Sequence, residues 1–232
     1  MNVELISYTK DPEKVVAAAI RQCYSPDSAK KMKNKLSEAE QGKLIKMVIA
    51  SGHTSTIEHA SFTFSVEGVS RVLTHELVRH RIASYSQQSQ RYINGKNFGF
   101  VTPLTILSKK EAREIFNKTI KDLGEKYEKL IGLGIPKEDA RFILPNATDV
   151  KIVVTMNARS LFNFLARRMC NRAQWEIRQM ATLMHKELMK IAPKIFKYAG
   201  PTCRTENICW EGERNCGLPE KNKIIELKSH IK

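Results

Sequence analysis

Alternating apolar and polar residues constrain the fold of this chain most strongly. Residues 60–66 alternate with a period of two, which predicts a half-buried β-strand. Residues 3–8 and 151–156 are rich in apolar or β-branched side chains and predict two further strands. Segments with helical periodicity lie between and after these runs, so the sequence predicts an α+β fold. We expect a small antiparallel sheet packed with several helices in a single domain.

Capping signals predict where the first helices begin. Asp11 and Pro12 suit the N-cap and the first position of one helix. Ser37 and Glu40 have the spacing of a capping box for the next helix, which Gly52 is placed to end. The lysine-rich residues between these two helices predict a connection.

The second half of the chain carries further helix and turn signals. Ser108 and Glu111 predict another capping box, at the start of a long helix that Gly132 and Gly134 end. A short helix that starts at Pro136 is expected to contain Arg141, and a single helix is expected from residue 157 to about residue 191. Asn94-Gly95 predicts a hairpin turn at 93–96, with Phe98 and Phe100 in the return strand.

The segment 79–91 is a dense polar strip. It contains three arginines, one histidine, three serines and three glutamines in thirteen residues, with no apolar period. Arginine forks bind phosphate oxygens, serine hydroxyls donate, and glutamine amides both donate and accept. This composition favours the binding of an anionic ligand that is rich in heteroatoms. The alternative is a solvated surface loop.

Two further polar clusters lie at the ends of predicted strands. Residues 51–59 precede the alternating strand and suit a pocket lined by histidine, serine and glutamate. Residues 157–168 begin the helix after the last strand, where Arg159, Asn163 and Arg167 share one helical face. An ordinary polar helix face is the alternative for the second cluster. A metal site in the first cluster is not favoured, because its spacing differs from H-E-x-x-H.

Net charge raises the question of nucleic acid. The chain has 39 Lys and Arg against 24 Asp and Glu, which gives +15. None of the familiar DNA-reading or RNA-reading motifs is present, and a small anionic substrate explains the arginines of the polar strip more simply. No apolar run reaches membrane length and the first residues lack signal-peptide features, so we expect a cytoplasmic protein without a membrane partner.

The five cysteines fall into two groups. Cys23 and Cys170 lie in helical patterns and are expected to be buried, inert thiols. Cys203, Cys209 and Cys216 lie in a Cys- and Lys-rich tail, 201–232, which follows a catalytic domain predicted at 1–200. The three tail thiols suit a metal with a fourth ligand, a redox pair or no role. Their spacing differs from C-x-x-C pairs, and no structural metal is expected.

The three polar clusters resemble the flavin-dependent thymidylate synthase family. The signature of that family, R-H-R, two residues, S, four residues, S, one residue, R, is matched by Arg79, His80, Arg81, Ser84, Ser89 and Arg91. Residues 52–55 with Glu58-His59 resemble its first block. Residues 157–161 with Asn163, Arg168 and 173–176 resemble its second. The resemblance runs over about residues 1–198.

The resemblance implies an activity and its partners. Deoxyuridine monophosphate (dUMP) would be methylated to thymidylate, with methylenetetrahydrofolate as one-carbon donor, FAD as hydride carrier and NADPH as reductant. Members of the family are homotetramers whose active sites are shared between subunits, so separate clusters need not meet within one subunit. No nucleic-acid partner and no metal are implied.

The resemblance also implies roles for individual residues. Arg168 would lie against the uracil as the catalytic residue, since a fixed cation favours ionisation at N3. Nucleotide-binding positions are matched by Glu76, Leu77, Val78, Arg79, Gln87, Gln88, Ser89, Gln90, Arg91, Arg141 and Arg168. Flavin-binding positions are matched by Ser55, Arg79, His80, Arg81, Gln87, Asn157, Ala158, Arg159 and Asn163, and positions near the flavin and folate by His53 and Glu58.

Several alternatives and departures accompany this assignment. Ser89 is interpreted as a hydrogen-bond donor to the phosphate rather than a nucleophile. Cys170 is interpreted as a packing thiol rather than a catalytic cysteine. Gln87 stands where the family often has glutamate, and Glu76 where some members have glutamine. The competing functions are a basic nucleic-acid-binding protein, a non-catalytic relative, and a different flavoprotein acting on a pyrimidine nucleotide. The chain has no G-x-G-x-x-G, so a Rossmann flavin site is not expected.

Overall fold

The computed structural model describes residues 1–92, 99–220 and 223–225. Contacts between Cα atoms divide this part of the chain into two compact units. Unit 1 comprises Met1–Asn2, Ser65–Arg79 and the described residues within Tyr85–Val154. Unit 2 comprises Val3–Phe64, His80–Ser84 and the described residues from Thr155 onward. All four strands contain residues of both units.

The fold is α+β, as the sequence predicts. Four antiparallel strands form one sheet in the order β1-β2-β4-β3. These strands are β1 (Asn2–Tyr8), β2 (Ser61–Ser70), β3 (Ser84–Gln87) and β4 (Asp149–Asn157). The helices are α1 (Pro12–Gln22), α2 (Ala29–Lys35), α3 (Glu38–Ala50), α4 (Arg71–Leu77), α5 (Leu104–Leu107), α6 (Lys110–Gly132), α7 (Lys137–Ala140), α8 (Ala158–Arg168), α9 (Trp175–Ile191), α10 (Pro193–Phe196) and α11 (Thr202–Thr205).

The predicted alternation of β2 is confirmed by its burial. Phe62, Phe64 and Val66 are fully buried, while the residues between them are partly exposed. In unit 2, Phe62 packs edge-to-face against Phe196 of α10, with ring centroids 5.2 Å apart. Strand β4 also alternates in burial rather than being buried on both faces. One face of β2 and one face of β4 therefore supply residues to the apolar core.

The N-terminal helices follow the predicted pattern with two corrections. Asp11 adopts a left-handed conformation (φ 51°) and makes no side-chain cap, although Pro12 does begin α1. An N-cap residue needs an extended backbone to present its side chain to the first turn, and Asp11 lacks one. The predicted lysine-rich connection is instead α2. Its N-cap, Ser28, accepts a hydrogen bond from the backbone N–H of Lys31, and Met32 is buried.

The capping box at Ser37 and Glu40 is confirmed, and the one predicted at Ser108 is wrong. The Ser37 hydroxyl accepts from the Glu40 backbone N–H, and the Glu40 carboxylate accepts from the Ser37 N–H. Ser108 instead ends α5 in a helical backbone conformation, and its hydroxyl donates to the Thr105 carbonyl. Lys109 takes the N-cap position of α6 without a side-chain cap.

The helix predicted from residue 157 to about 191 is two helices. α8 ends at Arg168 and α9 begins at Trp175, with the Gln174 side chain accepting from two backbone N–H groups of α9. The turn between them contains neither glycine nor proline, so no sequence signal marks it. Similarly, the polar strip contains strand β3, which has no apolar period to predict it. Arg141 lies just after α7, at the start of a 3-10 turn.

Two predicted features have other outcomes. The hairpin turn at 93–96 and Phe98 lie outside the described residues, and Phe100 forms a single antiparallel bridge with Thr148 rather than a strand. Cys23 is exposed at the end of α1 instead of buried. Among the described residues, no helix is long and apolar enough to cross a membrane. The predicted boundary between a catalytic domain and a tail at residue 200 stays a prediction.

The two serines give a test of the helix starts. Ser37→Ala is expected to lower the free energy of unfolding by about 1 kcal/mol, because it removes the hydroxyl that caps α3. Ser108→Ala is the matched control and is expected to change it by less than about 0.5 kcal/mol, because Ser108 caps no long helix. Urea unfolding at one fixed protein concentration measures both. Equal losses in the two variants would contradict the assignment.

Candidate active site

Within unit 2, a hydrogen bond between Arg168 and His80 links the polar strip (79–91) to the third polar cluster (157–168). The Arg168 Nε donates to the His80 Nε2 at 3.0 Å. Arg168 is the last residue of α8, which Asn157 caps by accepting from the Ser160 backbone N–H at 2.8 Å. The helix therefore determines the position at which the Arg168 guanidinium meets the His80 imidazole.

His80 is held in its neutral form. Burial, and after it the positive charges of Arg168 and Arg167, lowers its pKa from 6.5 to about 4. The ring also lies edge-to-face against Phe164, with centroids 5.1 Å apart. A neutral imidazole can offer a nitrogen lone pair to a guanidinium, whereas a protonated one would repel it. His80 is thus suited to position Arg168.

A cavity of about 700 Å³ in unit 2 is lined by the third cluster. Asn163, Arg167 and Arg168 contribute amide and cationic groups to its wall, and Trp210 contributes an aromatic ring. The sequence analysis missed Trp210, because it lies in the tail beyond every motif. An arginine-lined cavity with one aromatic wall suits a planar, anionic or ionisable ligand.

An ion pair joins the first and third clusters. The Glu58 carboxylate lies 2.6 Å from the Arg159 guanidinium, at the first turn of α8. His53 and Ser55 are exposed nearby in sequence, before and within the 3-10 turn Thr54–His59. Ala158 is fully buried. The exposed polar side chains of the first cluster therefore lie close in sequence to Glu58, which pairs with α8.

In unit 1, hydrogen bonds connect the polar strip to α4 and β4. The Tyr85 hydroxyl donates to the Leu77 carbonyl at 2.9 Å, and the Gln87 amide donates to the Thr74 hydroxyl at 3.2 Å. The Gln88 side-chain oxygen accepts from the Lys151 backbone N–H at 3.3 Å. Leu77 is fully buried.

Two of the proposed phosphate-binding arginines of unit 1 meet at Glu138. The Arg91 guanidinium lies 2.7 Å from the Glu138 carboxylate, and Arg141 Nε donates to the Glu138 carbonyl at 3.1 Å. Burial lowers the pKa of Arg71, and the nearby charge of Arg141 lowers it further. An anion near these arginines would relieve the repulsion between their charges. The sequence analysis missed Arg71 and Glu138, which lie outside the family motifs.

The predicted site residues divide between the two units. Unit 1 contains Glu76, Leu77, Val78, Arg79, Gln87, Gln88, Ser89, Gln90, Arg91 and Arg141. Unit 2 contains His53, Ser55, Glu58, His80, Arg81, Asn157, Ala158, Arg159, Asn163 and Arg168. Within unit 1 Arg91 and Arg141 both contact Glu138. Within unit 2 His80 and Glu58 contact arginines of α8.

Cys170 is not a helix-packing thiol. It lies in the turn after α8 and is partly exposed. Burial raises its pKa, and Glu211, Cys216 and Cys203 raise it further, while a backbone hydrogen bond at Arg172 opposes them. A raised pKa keeps the thiol protonated and weakens it as a nucleophile. This agrees with discounting Cys170 as a catalytic cysteine.

A protein-family model described as "Thymidylate synthase complementing protein" matches residues 4–194. The matched range contains the polar strip, both flanking clusters, and the arginines that meet at Glu138. The chain therefore belongs to this family.

Curated relatives agree with the family match. The chain is 46% identical to "Flavin-dependent thymidylate synthase" of Clostridium tetani over 243 aligned residues, covering 98% of this chain and 97% of the relative. The protein of the same name from Geobacter sulfurreducens is 46% identical, again covering 98% and 97%. That of Sulfurisphaera tokodaii is 46% identical and covers 88% of this chain and 79% of the relative.

The state of His80 can be tested directly. Because its pKa is lowered to about 4, the ring should stay neutral, and the Arg168 hydrogen bond intact, until the pH falls through that value. In Arg168→Ala the adjacent positive charge is lost, so the midpoint should rise toward 6.5 while burial keeps it below. Histidine side-chain NMR during a pH titration measures the midpoint.

Arg159→Ala is the matched control, since this α8 arginine pairs with Glu58 rather than with His80. It should leave the His80 midpoint where it is in the unchanged protein. A midpoint in Arg168→Ala that equals that of the control would show that the two side chains do not interact as described.

Proposed function

We propose that the protein methylates dUMP to thymidylate, using methylenetetrahydrofolate as one-carbon donor, FAD as hydride carrier and NADPH as reductant. Family membership supports the overall reaction. The observation that carries the proposal is the hydrogen bond from Arg168 to a neutral His80. It holds a cation at the end of α8, where the reaction needs charge stabilisation.

Arg168 is the proposed catalytic residue. Its guanidinium would stabilise negative charge at N3 of the uracil and so activate the ring. The hydrogen bond to His80 uses Nε and orients the plane of the guanidinium. Because the pKa of His80 is about 4, its ring is neutral well above that pH. It therefore neither repels Arg168 nor competes with Arg168 for the negative charge of the uracil.

The phosphate of dUMP is proposed to bind at the arginines of unit 1. Arg91 and Arg141 would hold it together with the Ser89 hydroxyl, and Arg71 adds a third positive charge. The Glu138 carboxylate occupies Arg91 in the structure and would exchange with the phosphate. The residues proposed to complete the nucleotide site are Glu76, Leu77, Val78, Gln88 and Gln90.

The described side chains fit a flavin dinucleotide. Arg79 and Arg81 are exposed guanidiniums suited to a pyrophosphate, and Arg159 and Asn163 add donors along α8. When bound, FAD supplies hydride transfer between NADPH and the carbon delivered by the folate. The proposed flavin-site residues are His53, Ser55, Glu58, Arg79, His80, Arg81, Gln87, Asn157, Ala158, Arg159 and Asn163.

The site is proposed to be completed by other subunits of a homotetramer. His53, Ser55, Arg79 and Arg81 are exposed in the single chain. A cofactor site normally buries most of its ligand, which these exposed side chains alone do not achieve. Association of chains around the polar strip would supply the missing walls.

An absorption spectrum tests the proposed function. The purified protein should show an oxidised flavin that bleaches when NADPH is added without oxygen. Adding dUMP and methylenetetrahydrofolate should restore the oxidised spectrum while thymidylate appears. A protein that is colourless and also fails to take up added FAD would overturn the proposal.

Arg168→Ala is expected to lower the rate of thymidylate formation by at least about 100-fold, because it removes the cation beside the uracil. The flavin spectrum should persist. Arg113→Ala, at an exposed arginine of α6, is the control and should retain the normal rate. Loss of flavin together with activity in Arg168→Ala would reassign Arg168 to cofactor binding.

Glu138→Gln is expected to tighten dUMP binding by about two- to fivefold, because the phosphate no longer competes with a carboxylate at Arg91. Asp139→Asn removes a neighbouring charge that makes no ion pair with Arg91 in the described structure, and should have a smaller effect. Calorimetric titration of the flavin-loaded protein gives both dissociation constants. Weaker binding in Glu138→Gln would contradict the assigned phosphate site.

A further inference from the structure

Four of the five cysteines line one cavity in unit 2. Cys170, Cys203, Cys209 and Cys216 surround a space of about 400 Å³. They come from the turn after α8, from α11, and from the segment that follows it. The sequence grouped the last three by proximity. The structure adds Cys170, and with it a fourth sulfur.

The segment that carries these thiols has little apolar burial. Within residues 201–220, all of which the structure describes, only Pro201, Cys209 and Gly212 are buried. Its regular structure consists of α11 and the 3-10 turn Gly212–Arg214. A short segment without its own apolar core is typically ordered by a disulfide or a metal.

Hydrogen bonds fix two of the cysteines. The Cys209 backbone N–H donates to the Lys223 carbonyl, and its carbonyl accepts from the Ile225 N–H at 2.9 Å. The Asn171 side-chain amide donates to the Cys216 sulfur at 3.8 Å. An N–H donor directed at sulfur stabilises a thiolate and is a usual outer partner of a metal-bound cysteine.

The cavity lining carries more positive than negative side chains. Arg172, Arg204 and Lys223 line it together with one carboxylate, Glu211. A divalent ion held by four thiolates has a net charge of about −2. The surplus of two positive charges in the lining (three cations against one anion) offsets it.

We propose that Cys170, Cys203, Cys209 and Cys216 bind one Zn²⁺ ion that orders the 201–220 segment. Four sulfur ligands in a tetrahedral arrangement are characteristic of structural zinc. Within the described residues no three ligand-type side chains already converge on one point. Metal binding therefore requires each cysteine to rotate about its single side-chain torsion so that its sulfur points into the cavity, whose volume of about 400 Å³ has room for the ion.

The proposal goes beyond the proposed enzymatic function and is independent of it. The family match ends at residue 194, before three of the four thiols. Zinc here would have a structural role, and the hydride and methyl transfers proposed above do not involve it.

Metal analysis of the flavin-loaded protein, purified without chelators and desalted, tests the proposal. The unchanged protein and Cys23→Ser should each contain about one zinc ion per chain. Cys23 is a matched control because it is exposed and lies outside the cavity. Cys170→Ser and Cys209→Ser should lose most of the zinc. Cobalt in place of zinc should give ligand-field absorption at wavelengths beyond those of the oxidised flavin.

A thiol titration of the unchanged protein keeps the test independent of variant folding. With zinc bound, a chromogenic disulfide reagent should react rapidly with Cys23 alone, and a chelator should expose the other four thiols. Absence of zinc with all five thiols reactive from the start would overturn the proposal. So would an intact mass showing a disulfide between two of the four cysteines.

Discussion

The site depends on one hydrogen bond, from Arg168 Nε to the neutral Nε2 of His80. α8 fixes the position of Arg168, and burial, with the positive charges of Arg168 and Arg167, keeps His80 uncharged. The arrangement places a permanent cation beside a neutral acceptor, so the acceptor orients the cation without neutralising it. Charge stabilisation of a developing anion requires a cation that is fixed before the reaction begins.

The fold was predictable where periodicity and capping chemistry were strong. The alternation in 60–66 and the Ser37 box both identify real elements, because burial on one face and backbone satisfaction are local requirements. Ser108 shows the limit of this signal. It has the same S-x-x-E spacing, but it ends α5 and therefore does not cap α6. Strand β3 shows another limit, since its polar sequence has no apolar period from which a strand could be predicted.

The candidate site was predictable in its motif residues and not in their partners. The arginines of the strip indicate an anion, yet nothing in the sequence brings Glu138 to Arg91 or Arg71 near Arg141. The same holds for Cys170, which lies far in sequence from the other thiols of its cavity. Such pairings arise from tertiary packing, and local sequence patterns do not show which distant residues will meet.

The central claim is that His80 acts on the nucleotide through Arg168. A double-mutant cycle on dUMP binding to the flavin-loaded protein measures this coupling, using His80→Gln, Arg168→Gln and the double variant. The account predicts that the double variant binds dUMP no more weakly than Arg168→Gln alone, since His80 has no guanidinium left to position. Losses that simply add would mean that the two side chains act independently, and would contradict the account.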